Sequence, residues 1–256
     1  MKFIDLSATM RNNAVNDPPA QRPVIVYTDH EKGLESMLSF YPSTTAEDLP
    51  GGLGWAYEGV FLGTHSGTHL DAPWHYHPTM SGGERAITID EVPLEWCFGD
   101  GVKLNFSDRG DGYLVTEKDV KEKLNEIGYQ LKKGDIVLIQ SGAGEYSDSE
   151  EFLIRGCGMS RAATNYITGF GVKVVGTDAW SWDRPLPIVN EEFARTKDKS
   201  IIWEGHYASL DRGYCHMEKL ENLDKLPETG FIVVCFPIKI EGASAAWVRP
   251  VAIIKD

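Results

Sequence analysis

Four of the chain's seven histidines fall within residues 65–77, in the string His65-Ser-Gly-Thr-His69-Leu-Asp71-Ala-Pro73-Trp74-His75-Tyr-His77. No other segment constrains the fold as tightly. Ser66, Gly67 and Thr68 make a poor helix interior, and Pro73 biases the residue before it toward extended backbone. The scaffold must therefore supply a tight turn followed by an extended stretch. Imidazole is the commonest metal ligand, and a carboxylate beside it adds charge and an oxygen donor. His65 and His69 are four residues apart, with Asp71 two beyond. If the turn begins near residue 65, the two rings share a face and Asp71 swings in from the segment before Pro73. Two histidines and one carboxylate leave coordination positions open for water and substrate. His75 and His77 alternate, which places one in such a site and the other outside it. His30, standing alone, reads as a surface histidine.

Around this segment the chain reads as α/β. Residues 116–119 (Thr-Glu-Lys-Asp) form a capping-box-like start; Val120, Leu124 and Ile127 follow at helical spacing, and Gly128 stops the helix. Residues 135–140 (Asp-Ile-Val-Leu-Ile-Gln) suit a buried strand. Ser160 caps a second helix with Ala163, Tyr166, Ile167 and Phe170 facing inward and Gly171 closing it, and residues 172–176 form the next strand. Strand, helix, strand in that order predicts a right-handed crossover onto a buried sheet. Further strands are expected over 57–62, 231–236 and 248–254. No helix separates the last two, so the sheet is mixed. Residues 8–56 carry many Pro, Asp, Gly and Thr positions, which predicts irregular structure with short strands. A length of 256 residues suits one domain spanning 1–256.

Charge removes several functions. With 38 acidic and 25 basic side chains the net charge is −13, which disfavours binding to nucleic acid or anionic membranes. No stretch approaches the length of a spanning helix, and the start does not read as a signal peptide. Cys97, Cys157, Cys215 and Cys235 show no paired spacing and read as buried free thiols, which favours a cytoplasmic setting. There is no Gly-x-Ser-x-Gly elbow, no phosphate-binding Gly-rich loop and no His-Glu-x-x-His pair. Gly51, Gly52 and Gly54 follow no clear strand and do not make a dinucleotide fingerprint.

The string from His65 to His75 resembles the signature of the cyclase-like metal-dependent hydrolases, the superfamily of kynurenine formamidase and isatin hydrolase type. Further segments extend the resemblance over nearly the whole chain: Asp5-Leu-Ser7, residues 134–142 (Gly-Asp-Ile-Val-Leu-Ile-Gln-Ser-Gly), residues 174–178 (Val-Val-Gly-Thr-Asp), His206, and Glu218-Lys-Leu220. Where family members often carry a histidine after Asp-Leu-Ser, this chain has Ala8. The resemblance implies a mixed, barrel-like sheet with flanking helices of the swivelling β/β/α type. It implies that His65, His69 and Asp71 bind a divalent metal, zinc or manganese, and that Asp71 bridges to a second ion. His206 and Glu218 would hold that second ion where two are present, and His75 would shuttle the proton. His216 and Glu221 are rival ligands beside Glu218. A homodimer or homotetramer acting on a small molecule is the implied assembly.

These residues lead to metal-dependent hydrolysis of a small amide-type C–N bond in an aryl formamide, lactam or cyclic imide. The alternatives are opening of an enol lactone, a lyase or cyclase that stabilises an enolate with the same metal, and a metal- or ligand-binding module without turnover. Trp74, between the ligands and His75, is the candidate to line the pocket, although Trp55, Trp180, Trp182 and Tyr76 are of types that mostly fill cores. Arg184 reads as a surface ion pair rather than a clamp for a substrate carboxylate.

Overall fold

The computed structural model describes residues 1–255. Its strands are β1 (Lys2–Asp5), β2 (Val24–Thr28), β3 (Tyr57–Phe61), β4 (His69–Asp71), β5 (Thr79–Met80), β6 (Glu84–Arg85), β7 (Phe98–Asn105), β8 (Leu114–Val115), β9 (Ile136–Gln140), β10 (Gly158–Met159), β11 (Val174–Thr177), β12 (Cys215–Glu218), β13 (Phe231–Val234), β14 (Ala245–Trp247) and β15 (Val251–Ile254). The α-helices are α1 (Gly33–Phe40), α2 (Pro73–Tyr76), α3 (Glu117–Glu126), α4 (Arg161–Thr168) and α5 (Leu186–Thr196). None is long and apolar enough to cross a membrane.

Nine strands join in one sheet, ordered β1-β15-β13-β7-β9-β11-β12-β4-β14. Neighbours among β7, β9, β11 and β12 are parallel, and the remaining pairs are antiparallel. The sheet is mixed and curls into a half-barrel flanked by helices. Both faces are buried, which is why β9 is apolar at consecutive positions rather than alternating. Ile136 and Leu138 join Leu70, Met217, Phe231 and Val233 in one core, while Val137 and Ile139 join a second core under α3 and α4.

The helices start where their caps place them. Thr116 accepts from the Asp119 backbone N–H at 3.3 Å while the Asp119 carboxylate accepts from the Thr116 N–H at 2.8 Å, and Ser160 accepts from the Ala163 N–H at 3.1 Å. Val120, Leu124, Ala163 and Ile167 then point into the second core. The strand β7 has no counterpart among the strands expected from the sequence, because Gly99 and Gly101 weaken the local signal for a strand. A Cβ at Gly99 would lie 2.0 Å from the Gly134 carbonyl oxygen, and one at Gly101 would lie 2.0 Å from the Phe231 ring. Close packing, not turn formation, explains both glycines. Within residues 8–56 the structure adds α1 to the short strand expected there, and β2 pairs with β3 in a separate hairpin.

Candidate metal centre

Adjacent antiparallel strands build the site. Along β4 the pleat sends Leu70 into the first core and turns His69 and Asp71 to the opposite face. Along β12 it sends Cys215 and Met217 into that core and turns His216 and Glu218 the other way. The register pairs His216 with Asp71 and Glu218 with His69. Four candidate ligands thus project from facing rungs of one ladder as a two-by-two patch. His65 reaches it from the turn before β4, His75 from the single turn of α2, and His206 from a short 3-10 segment at His206–Leu210.

The distances are those of a shared centre. Asp71 Oδ1 lies 2.9 Å from His65 Nδ1 and 3.2 Å from His69 Nε2. Its Oδ2 lies 3.2 Å from His216 Nε2 and 3.7 Å from His75 Nε2. Glu218 comes within 3.1 Å of His216 Nε2, 3.6 Å of His69 Nε2 and 3.9 Å of His206 Nε2. Ligand atoms of Asp71, His206, His216 and Glu218 all lie within 4.8 Å of one another, as do those of His65, Asp71 and His75. The two sets share Asp71. His69 Nε2 and both Asp71 carboxylate oxygens are buried without a hydrogen-bond partner. Buried polar atoms are nearly always bonded, so three orphans in one patch of nitrogen and oxygen donors fit a divalent cation.

Outer partners fix which ring nitrogen faces the patch. His69 Nδ1–H donates to the Gly67 carbonyl at 2.8 Å, leaving Nε2 free. His206 Nδ1 meets the buried Asp183 carboxylate, which also accepts from the backbone N–H groups of Gly205 and His206. The Tyr76 hydroxyl donates to the Asp71 carbonyl at 3.2 Å and accepts from the His216 backbone N–H at 3.1 Å. It thereby accepts from His216 Nδ1, also at 3.1 Å, and leaves that ring's Nε2 facing the carboxylates. Each arrangement orients an imidazole of the candidate ligand set, as partners of metal-bound histidines do.

Burial and charge oppose each other here. Burial works against ionised Asp71, but His69, His216 and His65 hold its carboxyl well below the usual range. Burial likewise disfavours ionised Glu218, yet the His216 hydrogen bond brings it down to about 2. For His216, burial would lower the pKa, and the neighbouring Asp71 and Glu218 carboxylates instead push it up to about 9. His65 is desolvated too, but the Asp71 carboxylate beside it raises its pKa. At His75 desolvation prevails and, with His65 and His206 nearby, lowers it to about 4 despite the attraction of Asp71.

The structure brings together His65, His69, Asp71, His75, His206 and Glu218. It adds His216 beside Glu218 rather than in place of it. Glu221 sits apart, its backbone N–H donating to the Leu6 carbonyl. His77 stays outside and bonds Thr79, because a helical turn rather than a strand carries His75. Trp74 is 41% exposed, whereas the indole against the site is Trp203, stacked on His206 at 4.3 Å and edge-on to His75 at 5.2 Å. Arg184 is paired but not on the surface: it is buried and holds Glu192 at 2.7 Å. Asp183 and Trp203 carry no motif in the sequence, and Tyr76, expected there as a core aromatic, instead orients the His216 ring. The matching His-x-Asp and His-x-Glu spacings at 69–71 and 216–218 are the signal that pairs the two strands.

The Cyclase family, described as "Putative cyclase", matches residues 4–184. An isatin hydrolase of Roseibium aggregatum is 26% identical over 219 residues, covering 78% of this chain and 75% of that protein. A kynurenine formamidase of Salinibacter ruber is 28% identical over 197 residues, covering 76% and 77%. A crystal structure of an isatin hydrolase bound to the product analogue thioisatinate superposes with a TM-score of 0.76 at 20% identity, covering 100% of this chain and 93% of that one.

Proposed function

The chain belongs to the Cyclase family, and we propose that it is a metal-dependent hydrolase that opens a small amide-type C–N bond in an aryl formamide, lactam or cyclic imide. The observation that carries this reading is the patch of orphaned donors, His69 Nε2 and the two Asp71 oxygens, set between His216 and Glu218. The enzymes named among its relatives, isatin hydrolase and kynurenine formamidase, point to the same bond type.

His65, His69, Asp71, His206, His216 and Glu218 would hold the cation, zinc or manganese, as one ion or as two sharing Asp71. A divalent cation there supplies Lewis acidity, lowering the pKa of water and polarising a carbonyl. The chain's residues do the rest. His75 is one-quarter exposed while Asp71 is fully buried, so its ring stands between the patch and solvent. With its pKa near 4 it is neutral at pH 7 and accepts at Nε2 the proton that the attacking water loses. It returns that proton to the departing nitrogen as the C–N bond breaks. Asp183 and Tyr76 keep the His206 and His216 rings aimed, and Trp203 covers His206 on one side.

The test is elemental analysis of the purified protein together with turnover of N-formylkynurenine, isatin, a γ-lactam, a cyclic imide and an enol lactone. Stoichiometric zinc or manganese and C–N opening with the gain of one water are expected. Opening of the enol lactone alone moves the reaction to a C–O bond, and turnover without mass change makes it a lyase or cyclase. Absence of metal overturns the reading.

The assembly proposed is a homodimer or homotetramer. The β2–β3 hairpin is a two-stranded ribbon, marginal in water on its own, and it exposes Val26, Tyr27, Val60 and Phe61. A second copy of the chain covering it accounts for that apolar surface. A Phe61→Asp variant is expected to elute as a smaller species by light scattering; an unchanged mass removes the hairpin from the interface. The four cysteines are free and buried, in keeping with a cytoplasmic setting.

A further inference from the structure

The turn carrying His65 lies outside every strand ladder, so its backbone groups must find partners elsewhere. The Gly67 N–H donates to Asp17 Oδ2 at 3.0 Å. The His65 carbonyl accepts from Lys219 Nζ at 2.8 Å. Lys219 and Asp17 also form an ion pair with each other, with side chains only 2% and 1% exposed. Ser66 ties the same turn to the Gln21 carbonyl at 2.7 Å. Lys219 directly follows Glu218 and has a φ of +58°, an uncommon backbone for a bulky residue that ends the strand direction at that point. One dipeptide, Glu218-Lys219, therefore joins a candidate ligand to the support of another.

Taking two charges out of water is costly, and a buried pair is a weak device for stability alone. Here the pair spans the segment at residue 17, the turn at 65–67 and the end of β12. We propose that Asp17 and Lys219 are positioning residues of the metal centre: their buried pair fixes the backbone at His65 and Gly67 and so aims the His65 ring at Asp71. The same contacts reach His69, since the Gly67 carbonyl accepts from its Nδ1. Neither residue belongs to the candidate ligand set. The proposal rests on the metal-centre reading above.

The experiment measures the apparent zinc Kd of metal-stripped protein by competition with a chromophoric chelator, with near-UV circular dichroism confirming the fold. Asp17→Leu and Lys219→Met are expected to weaken zinc at least about tenfold, as loss of a partner that orients ligands does. Asp17→Asn has one acceptor oxygen in place of two, so it keeps the bond from Gly67 or the one from Lys219 but not both, and is expected to bind zinc with an affinity between that of Asp17→Leu and the wild type. The double variant Asp17→Leu/Lys219→Met leaves no buried charge unpaired; it serves if a single variant does not fold, and is also expected to bind weakly. Wild-type affinity in the folded double variant would reduce the pair to a structural role and overturn the proposal. An Asp17→Asn affinity no better than that of Asp17→Leu would overturn the aiming argument. A wild-type protein that binds no zinc or manganese overturns the metal-centre reading itself, whereas tight wild-type binding with unaffected variants overturns this inference alone.

Discussion

Replacing Glu218 with glutamine separates ligation from packing. Asp71 and Glu218 are both buried and bring carboxylate oxygens within 4.8 Å. At an effective dielectric near 20, two like charges at that distance repel by at least ~3.5 kcal/mol. Protonated His216, within 3.2 Å of one and 3.1 Å of the other, offsets that repulsion in the metal-free protein. Glu218→Gln preserves side-chain size while removing both the repulsion and part of the attraction to His216. The two losses oppose, so the metal-free Tm is expected to move by no more than about 4 °C, worth roughly 1 kcal/mol in a domain of this size. A cation at about 100 times its Kd stabilises the wild type by about 2.7 kcal/mol, a rise of roughly 5–10 °C. The variant, short of a ligand, should rise by less than about 2 °C on the same scale. Differential scanning calorimetry of stripped and zinc- or manganese-reloaded protein reads both quantities. A full metal-induced rise in the variant refutes ligation by Glu218. A drop of about 10 °C or more in its metal-free Tm refutes the electrostatic balance.

Three further outcomes follow from the same geometry. His75→Gln should lower kcat by about 10²–10⁴-fold, the contribution typical of a positioned acid–base group, with metal content by elemental analysis unchanged; loss of the metal would make His75 a ligand instead. His216 has a folded pKa raised to about 9, so in metal-free protein its stabilising contribution is complete below about 6.5 and lost as pH rises through 9. The metal-free Tm should fall across that window, and zinc binding near pH 7.5 should release a proton, seen as a buffer-dependent heat in calorimetry; a buffer-independent heat contradicts this. Leu70→Ala, between the two β4 ligands but facing the core, should cost about 2–5 kcal/mol of stability in denaturant titration, and a cost below about 1 kcal/mol would show that the core face is misassigned.

Much of this architecture was legible from residue order. The capping box of α3, the Ser160 cap of α4 and the apolar run of β9 are local signals, and they stand where the chain's pattern puts them. What local pattern conceals is pairing between distant segments. Spacing four apart suggests a shared turn for His65 and His69, but His69 and Asp71 share a strand face, and their partners come from β12. His216 looked like a rival of Glu218 because the two lie close in sequence; the pleat makes them companions. Asp183 and Tyr76 carry no motif of their own, and their roles exist only once the loop after β11 and the turn of α2 meet the His206 and His216 rings. β7 carries no clear sequence signal for a related reason, since the glycines that weaken it are demanded by Gly134 and Phe231, far away in the chain.

The pairing of β4 with β12 also dictates when the candidate ligand set is first complete. Tyr76 and His216 are separated by 140 residues of chain, and the carboxylates they orient stand just before and just after that gap. A ribosome releasing this polypeptide exposes His65, His69, Asp71 and His75 long before their counterparts emerge. Distant contacts of this kind form late and slowly. If the site holds a cation, its full set of ligands is complete only once β12 has paired with β4, so the ion would seal a nearly finished sheet rather than seed it.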